Sequence, residues 1–190
     1  MNIIHLEDEP WDSGIAHYAV TLAAEQARHG HRVEFWGLSA SPVLKDAEAR
    51  GLKTRGWTAG GAWLSIVTLR RDMAACDAQV VNAHTGTAHA LALATVPKKA
   101  VVIRTRGDAR MPRSGFLSRF VASRTTTFIA ANTRLQALLE ETFQKSRVRL
   151  VRQGVSGPET VALIPSAPIV GMIARFDPVK GHNTLIDAAN

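Results

Sequence analysis

Four stretches of this 190-residue sequence carry side chains able to do chemistry. Near the start, Glu7, Asp8 and Glu9 stand together, followed by Gly14. Adjacent carboxylates can hold a divalent cation through hard oxygen ligands or accept hydrogen bonds from sugar hydroxyls, but such runs are more often solvated loop charge. No metal site is expected here. Gly14 leaves room for a ligand to approach the start of the following helix, or serves only as a turn. Farther along, His84 directly follows an apolar run and His89 lies five residues on, a spacing that keeps the two off one helix face and argues against zinc. His84 reads either as a hydrogen-bond partner for a substrate hydroxyl or as a plain loop histidine. Residues 104–124 hold six arginines against one carboxylate, Asp108. Guanidinium forks bind phosphate or carboxylate bidentately, and the same residues could form a solvated basic face. Last, the apolar run 169–173 leads to Arg175 and then Lys180-Gly181, two cations beside a helix start, where anions collect.

Side chains so scattered need a scaffold that gathers them. β-rich runs recur at 2–6, 32–36, 51–54, 78–83, 100–105, 126–131, 148–151 and 169–173, too widely spaced for hairpins. Between them, apolar residues at three- and four-residue intervals predict helices over 15–29, 43–50, 63–75, 87–94, 116–123 and 135–144. Alternating strand and helix implies right-handed crossovers and a parallel sheet. Strands such as Gln79-Val80-Val81 are continuously apolar, as expected when helices cover both faces. The fold class is α/β, a Rossmann-like parallel sheet over residues 1–155. Gly157, Pro158, Pro165 and Pro168 mark a linker over 156–168, and a second Rossmann-like unit begins at 169 with a strand and a helix from Thr184. That helix meets Asn190 with no cap, so the second domain is expected to be truncated.

Composition narrows the function classes. At 46% apolar, 21% charged and mean hydropathy -0.02, the chain can bury a core. No apolar stretch approaches the ~18 residues that span a bilayer, and the first residues lack a secretory signal's basic start, so a cytoplasmic location is expected. A single cysteine, Cys76, excludes internal disulfides and thiolate zinc clusters. A charge of +7 and a pI near 10.3 favour anionic partners. Nucleic acid is not expected, because no helix-turn-helix, zinc finger or aromatic stacking platform is present. The three-glycine dinucleotide fingerprint and the Walker loop are also missing. The acids at 7–9 oppose phosphate near them, which places any nucleotide against the other half of the molecule. Phe116, Leu117, Phe120 and Val121 interleave with Arg113, Arg119 and Arg124, so that helix either packs in the core or rests on an anionic membrane surface.

Residues 170–182, VGMIARFDPVKGH, resemble the donor-site signature of the family-4 type of nucleotide-sugar glycosyltransferases with the GT-B fold, which pair an arginine with Lys-Gly at this spacing. The resemblance extends over the opening strand with Gly14, Gly30-His31-Arg32-Val33, Asn82-Ala83-His84 and Gln153-Gly154-Val155. It implies an N-terminal acceptor-side domain and a C-terminal nucleotide-sugar domain, with transfer that retains anomeric configuration. Arg175 and Lys180 would be the catalytic cations that stabilise the departing diphosphate. Gly14 and Gly181 would bind donor, and His84, Arg104, Arg106 and Asp108 would edge the acceptor pocket. No metal or cofactor is expected beyond the nucleotide sugar as co-substrate. Two departures from the family pattern matter. Relatives carry a histidine after the fifth strand, whereas this chain has Arg104-Thr105-Arg106-Gly107-Asp108, which suggests an anionic acceptor. The relatives' donor-binding glutamate segment would lie beyond Asn190, so residues 1–190 alone are expected to be inactive. The implied partners are a nucleotide sugar and a saccharide or lipid-linked acceptor in cell-envelope polysaccharide synthesis, with peripheral contact at the inner face of the membrane. The alternative is a noncatalytic GT-B-like scaffold or membrane-associated binding protein. Oligomeric state stays open.

Overall fold

The computed structural model describes residues 1–58, 66–107, 116–154, 169–174, 176 and 180–189. They fall into two units, Met1–Gly154 and Val155–Asn190. The first unit alternates β1 (Asn2–Glu7), α1 (Gly14–Arg28), β2 (Arg32–Leu38), α2 (Pro42–Ala49), β3 (Lys53–Trp57), α3 (Ile66–Ala75), β4 (Val80–Ala83), α4 (Gly86–Thr95), β5 (Val101–Arg106), α5 (Phe116–Ser123), β6 (Thr127–Ala130), α6 (Thr133–Thr142) and β7 (Val148–Leu150). The strands pair in the order β3-β2-β1-β4-β5-β6-β7, every described pair parallel. The expected doubly wound sheet is therefore formed, and its order reverses between β1 and β4.

Side-chain alternation along the strands divides the core in two. Ile3, Val33 and Phe35 pack with Ala16, Ala19, Val20 and Ala23 of α1 and with Val43, Leu44 and Ala47 of α2. On the other face, Ile4, Leu6, Trp36 and Val81 meet Leu69 and Met73 of α3 and Ala88, Leu91 and Ala92 of α4. A third cluster of Phe128, Ala130, Leu135, Leu139 and Val148 seats α6 on β6 and β7.

Helix starts follow local chemistry. Ser13, Ser41, Thr85 and Asn132 cap α1, α2, α4 and α6, each side-chain oxygen accepting a backbone N–H from the first turn. Gly30 and Gly51, at φ 84 and 77, end α1 and α2 in the left-handed conformation that glycine adopts without strain. The turn at Gly51 also moves the third strand from the expected 51–54 to Lys53–Trp57.

In the second unit, α7 (His182–Ala189) begins two residues before the expected start. The strand expected over 169–173 is not formed: those residues make no ladder, and Ile169, Val170 and Ile173 are 75%, 82% and 105% exposed. An apolar run becomes a strand only when a neighbour supplies ladder bonds, and this unit holds no other strand among its described residues. The linker over 156–168 lies outside the described residues. No helix among the described residues is long and apolar enough to cross a membrane.

Candidate functional site

Ligands of open parallel sheets gather at the carboxyl ends of the strands, where the strand order reverses. Here that point is formed by the ends of β1 and β4, flanked by the starts of α1 and α4. β1 lies close to β2 at its end, since a Cβ added to Gly37 would sit 2.6 Å from the Glu7 carbonyl oxygen.

The acidic run is not the solvated loop charge that its composition suggests. Glu7 is fully buried. Its Oε1 accepts from the Glu9 backbone N–H at 2.9 Å, and its Oε2 has no hydrogen-bond partner among the described residues. Burial pushes the Glu7 carboxyl up to about 8; the Glu9 amide opposes the rise, and the charges of Glu9 and Asp8 add to it. Asp8 and Glu9 take the hydroxyl hydrogens of Thr85 and Ser13. Because Thr85 and Ser13 are the N-caps of α4 and α1, one acidic loop is fastened to both helix starts beside the reversal point. The carboxylates occupy the positive ends of the helix dipoles that would otherwise attract phosphate.

His84 is not a loop side chain free to meet ligand. It is 1% exposed, stacks on His5 with ring centroids 5.2 Å apart, and meets the edge of Tyr18. His5 Nδ1 lies 2.9 Å from His84 Nε2, and His5 Nε2 lies 2.8 Å from Gln26 Oε1. Burial lowers the His5 pKa to about 4, with the Gln26 hydrogen bond opposing, and holds His84 well below its ordinary value, helped by His5 and the Arg104 charge. Both rings are neutral. His89 is also neutral, its pKa lowered by burial and by Arg104 to about 3. Its Nε2 lies 2.8 Å from the Thr125 hydroxyl, which itself donates to the Val121 carbonyl, so His89 donates and ties α4 to the turn before β6.

Arg104 has a structural task where an acceptor contact was expected. It is 7% exposed, and its Nη1 donates to the carbonyls of Ala83 and Thr105 at 3.1 and 2.6 Å, bracing the end of β4. Thr105 in turn donates to Asn82 Oδ1 at 2.9 Å. Arg106 is buried at the end of β5, and Asp108 lies outside the described residues. Gly14 is the first residue of α1, exposed, with open space where a Cβ would sit. At Gly107 a Cβ would lie 3.0 Å from Gln153 Nε2 and 3.5 Å from Ile15, so the start of α1, the end of β5 and the chain after β7 converge. In the second unit Lys180 is exposed and Gly181 takes φ 75 just before α7, while Arg175 lies outside the described residues. Among the described residues no group of three or more His, Cys, Asp or Glu could hold a metal ion.

Sequence reasoning missed His5 and Gln26. The available signal was a histidine inside an otherwise apolar strand, on the same face as Ile3.

The family model of Glycosyltransferase Family 4 matches residues 13–156. Among solved structures, the chain is similar to Anabaena Alr3699/HepE in complex with UDP-glucose, at 11% identity over 82% of this chain and 44% of that one, with a TM-score of 0.67. It is similar to a glycosyltransferase from Rickettsia africae ESF-5 at 10% identity, 81% and 43% coverage and a TM-score of 0.70. It also resembles the lipopolysaccharide outer core galactosyltransferase WaaB in its apo form, at 9% identity, 87% and 49% coverage and a TM-score of 0.65. The likeness at these identities is one of fold, and the chain spans less than half the length of each. No curated protein matches the sequence.

Proposed function

The chain belongs to glycosyltransferase family 4, and from that premise we propose that it supplies the acceptor-side lobe of an enzyme moving a sugar from a nucleotide sugar to a saccharide or lipid-linked acceptor. The observation that carries this reading is the family match over residues 13–156, which takes in the start of α1, the loop at His84 and the segment ending at Gln153-Gly154. That HepE is solved with UDP-glucose supports a nucleotide sugar as donor.

The acidic loop at the helix starts leaves the donor diphosphate to residues 175–181. Breaking the anomeric C–O bond builds negative charge on the departing diphosphate, and fixed cations beside it lower the barrier. Arg175 and Lys180 fill that role, with the N-terminal dipole of α7 acting in the same sense, while Gly14 leaves room for the donor. Transfer retains anomeric configuration and requires no metal. The setting is cell-envelope polysaccharide synthesis at the inner face of the membrane.

A screen of the complete enzyme against a panel of nucleotide sugars tests the reading, with the anomer formed followed by proton NMR. Donor-dependent glycosylation with retained configuration is expected. Absence of turnover with every donor, or release of a modified free sugar without any acceptor, would overturn it.

A further inference from the structure

A cavity of about 320 Å³ opens at the amino end of the sheet, the end opposite the reversal point and its acidic loop. It lies where α5 leads into β6 and α6 leads into β7. Its walls include Arg119 and Ala122 of α5, Phe128 of β6, Phe143 just past α6, and Arg147 just before β7. Phe128 is buried and Phe143 half-buried, and their rings stack 4.4 Å apart and 5° from parallel. A third ring can extend such a pair, offset or edge-on. Arg147 Nη1 donates to the carbonyls of Ala122, Ser123 and Thr125 at 3.0, 2.9 and 3.2 Å, which caps the end of α5 and fixes the guanidinium in place. Its Nε and Nη2 donate to no described residue. Arg119 is exposed and makes no hydrogen bond or ion pair with a described residue. No carboxylate stands among the described residues that line the cavity.

We propose that this cavity binds a small aromatic anion, its ring against the Phe128–Phe143 pair and its carboxylate or phosphate held by Arg119 and Arg147. Two cations over an apolar floor lack a counter-charge, and guanidinium donors match carboxylate and phosphate oxygens bidentately. The carboxyl-terminal ends of α5 and α6 oppose an anion here, each with roughly half a negative charge. Two full positive charges outweigh them, and Arg147 already occupies three carbonyls at the α5 end. A rigid ring also suits the space: it fills a site at the lower end of the ~300–1,000 Å³ range of small-molecule pockets without the rotor loss of a flexible chain. The site stands apart from the strand ends where sugar transfer is proposed, so it is a second site and does not depend on that reading.

Isothermal titration calorimetry of the chain with 1-naphthyl phosphate and 1-naphthoate tests the site, the two probes separating a phosphate from a carboxylate ligand. At least one of them should bind, and 1-naphthol and inorganic phosphate, which each lack half of the recognition, should bind about tenfold more weakly or not at all. Arg119→Gln should weaken the bound probe about tenfold and leave the melting temperature unchanged, because the side chain holds no bond of the fold. Arg124→Gln is the control for unspecific attraction: Arg124 lies on the next turn, over the Phe120 ring and outside the cavity wall, and its loss should leave affinity as it was. Ala122→Leu narrows the cavity and should abolish binding; Arg119→Glu makes the same test without altering the packing. Three results overturn the proposal: no heat from either anion, 1-naphthol bound as tightly as the anions, or an affinity that Arg119→Glu leaves intact. An equal loss with Arg124→Gln and Arg119→Gln overturns it too, since attraction would then come from the basic surface at large.

Discussion

Single side chains in this protein do opposite things with the same chemistry. Glu7, Asp8 and Glu9 are consecutive, yet Glu7 is buried with its pKa pushed up to about 8, while its neighbours take hydroxyl hydrogens from helix caps. A carboxyl raised above its unfolded value of 4.5 is protonated in the fold and ionised in the unfolded chain between those two values. Its contribution to stability is complete below pH 4.5 and is lost as pH rises toward 8, at on the order of 1 kcal/mol per pH unit. Glu7→Gln should therefore flatten the alkaline side of a urea-midpoint profile; a profile that keeps the wild-type slope would place the titration elsewhere. At the other end of the sequence, Arg175→Ala and Lys180→Ala in the complete enzyme should each lower kcat on the order of 100-fold, the scale for removing one preorganised charge-stabilising donor. Unchanged kcat would reject those roles.

At the scale of elements, the helix starts carry both stability and site geometry. Ser13→Ala and Thr85→Ala each delete an N-cap and release an acid of the loop, so each should lower stability by about 1 kcal/mol in chemical denaturation. Ser41→Ala deletes the N-cap of α2, whose hydroxyl accepts from Leu44 N–H, and serves as the control with a similar stability loss. Gly14→Ala separates fold from ligand, because the added methyl meets open space at a position of ordinary φ. Its melting temperature should hold or rise slightly, while donor turnover falls; a lowered melting temperature would mean the glycine serves the fold. These elements were legible in the sequence because their signals are local. Ser and Thr before helical periodicity and glycine after it predicted the boundaries, and continuous apolar runs predicted strands covered on both faces. The acidic loop was misjudged because adjacent carboxylates look solvated until Thr85, 77 residues from Asp8, is brought against them. His5 escaped notice for a related reason: its partners, Gln26 and His84, lie 21 and 79 residues away and meet it only in the folded sheet.

For the molecule as a whole, the buried neutral groups set a pH window. His5 and His89, at about 4 and 3, are uncharged in the fold but take up protons below 6.5 when unfolded, and His84 behaves in the same direction. Their contribution is present above pH 6.5 and is lost as pH falls through the folded values. Together with the alkaline loss at Glu7, this predicts a melting-temperature maximum near pH 6.5 in calorimetry; a maximum above pH 8 would contradict the neutral assignments. The double fastening of the acidic loop also has an evolutionary consequence. Ser13 and Thr85 each serve a helix and an acid at once, so turning this lobe into one that cradles phosphate would require losing two carboxylates while refitting two helix beginnings. Taken one at a time, each loss of a cap costs about 1 kcal/mol before any phosphate contact offsets it.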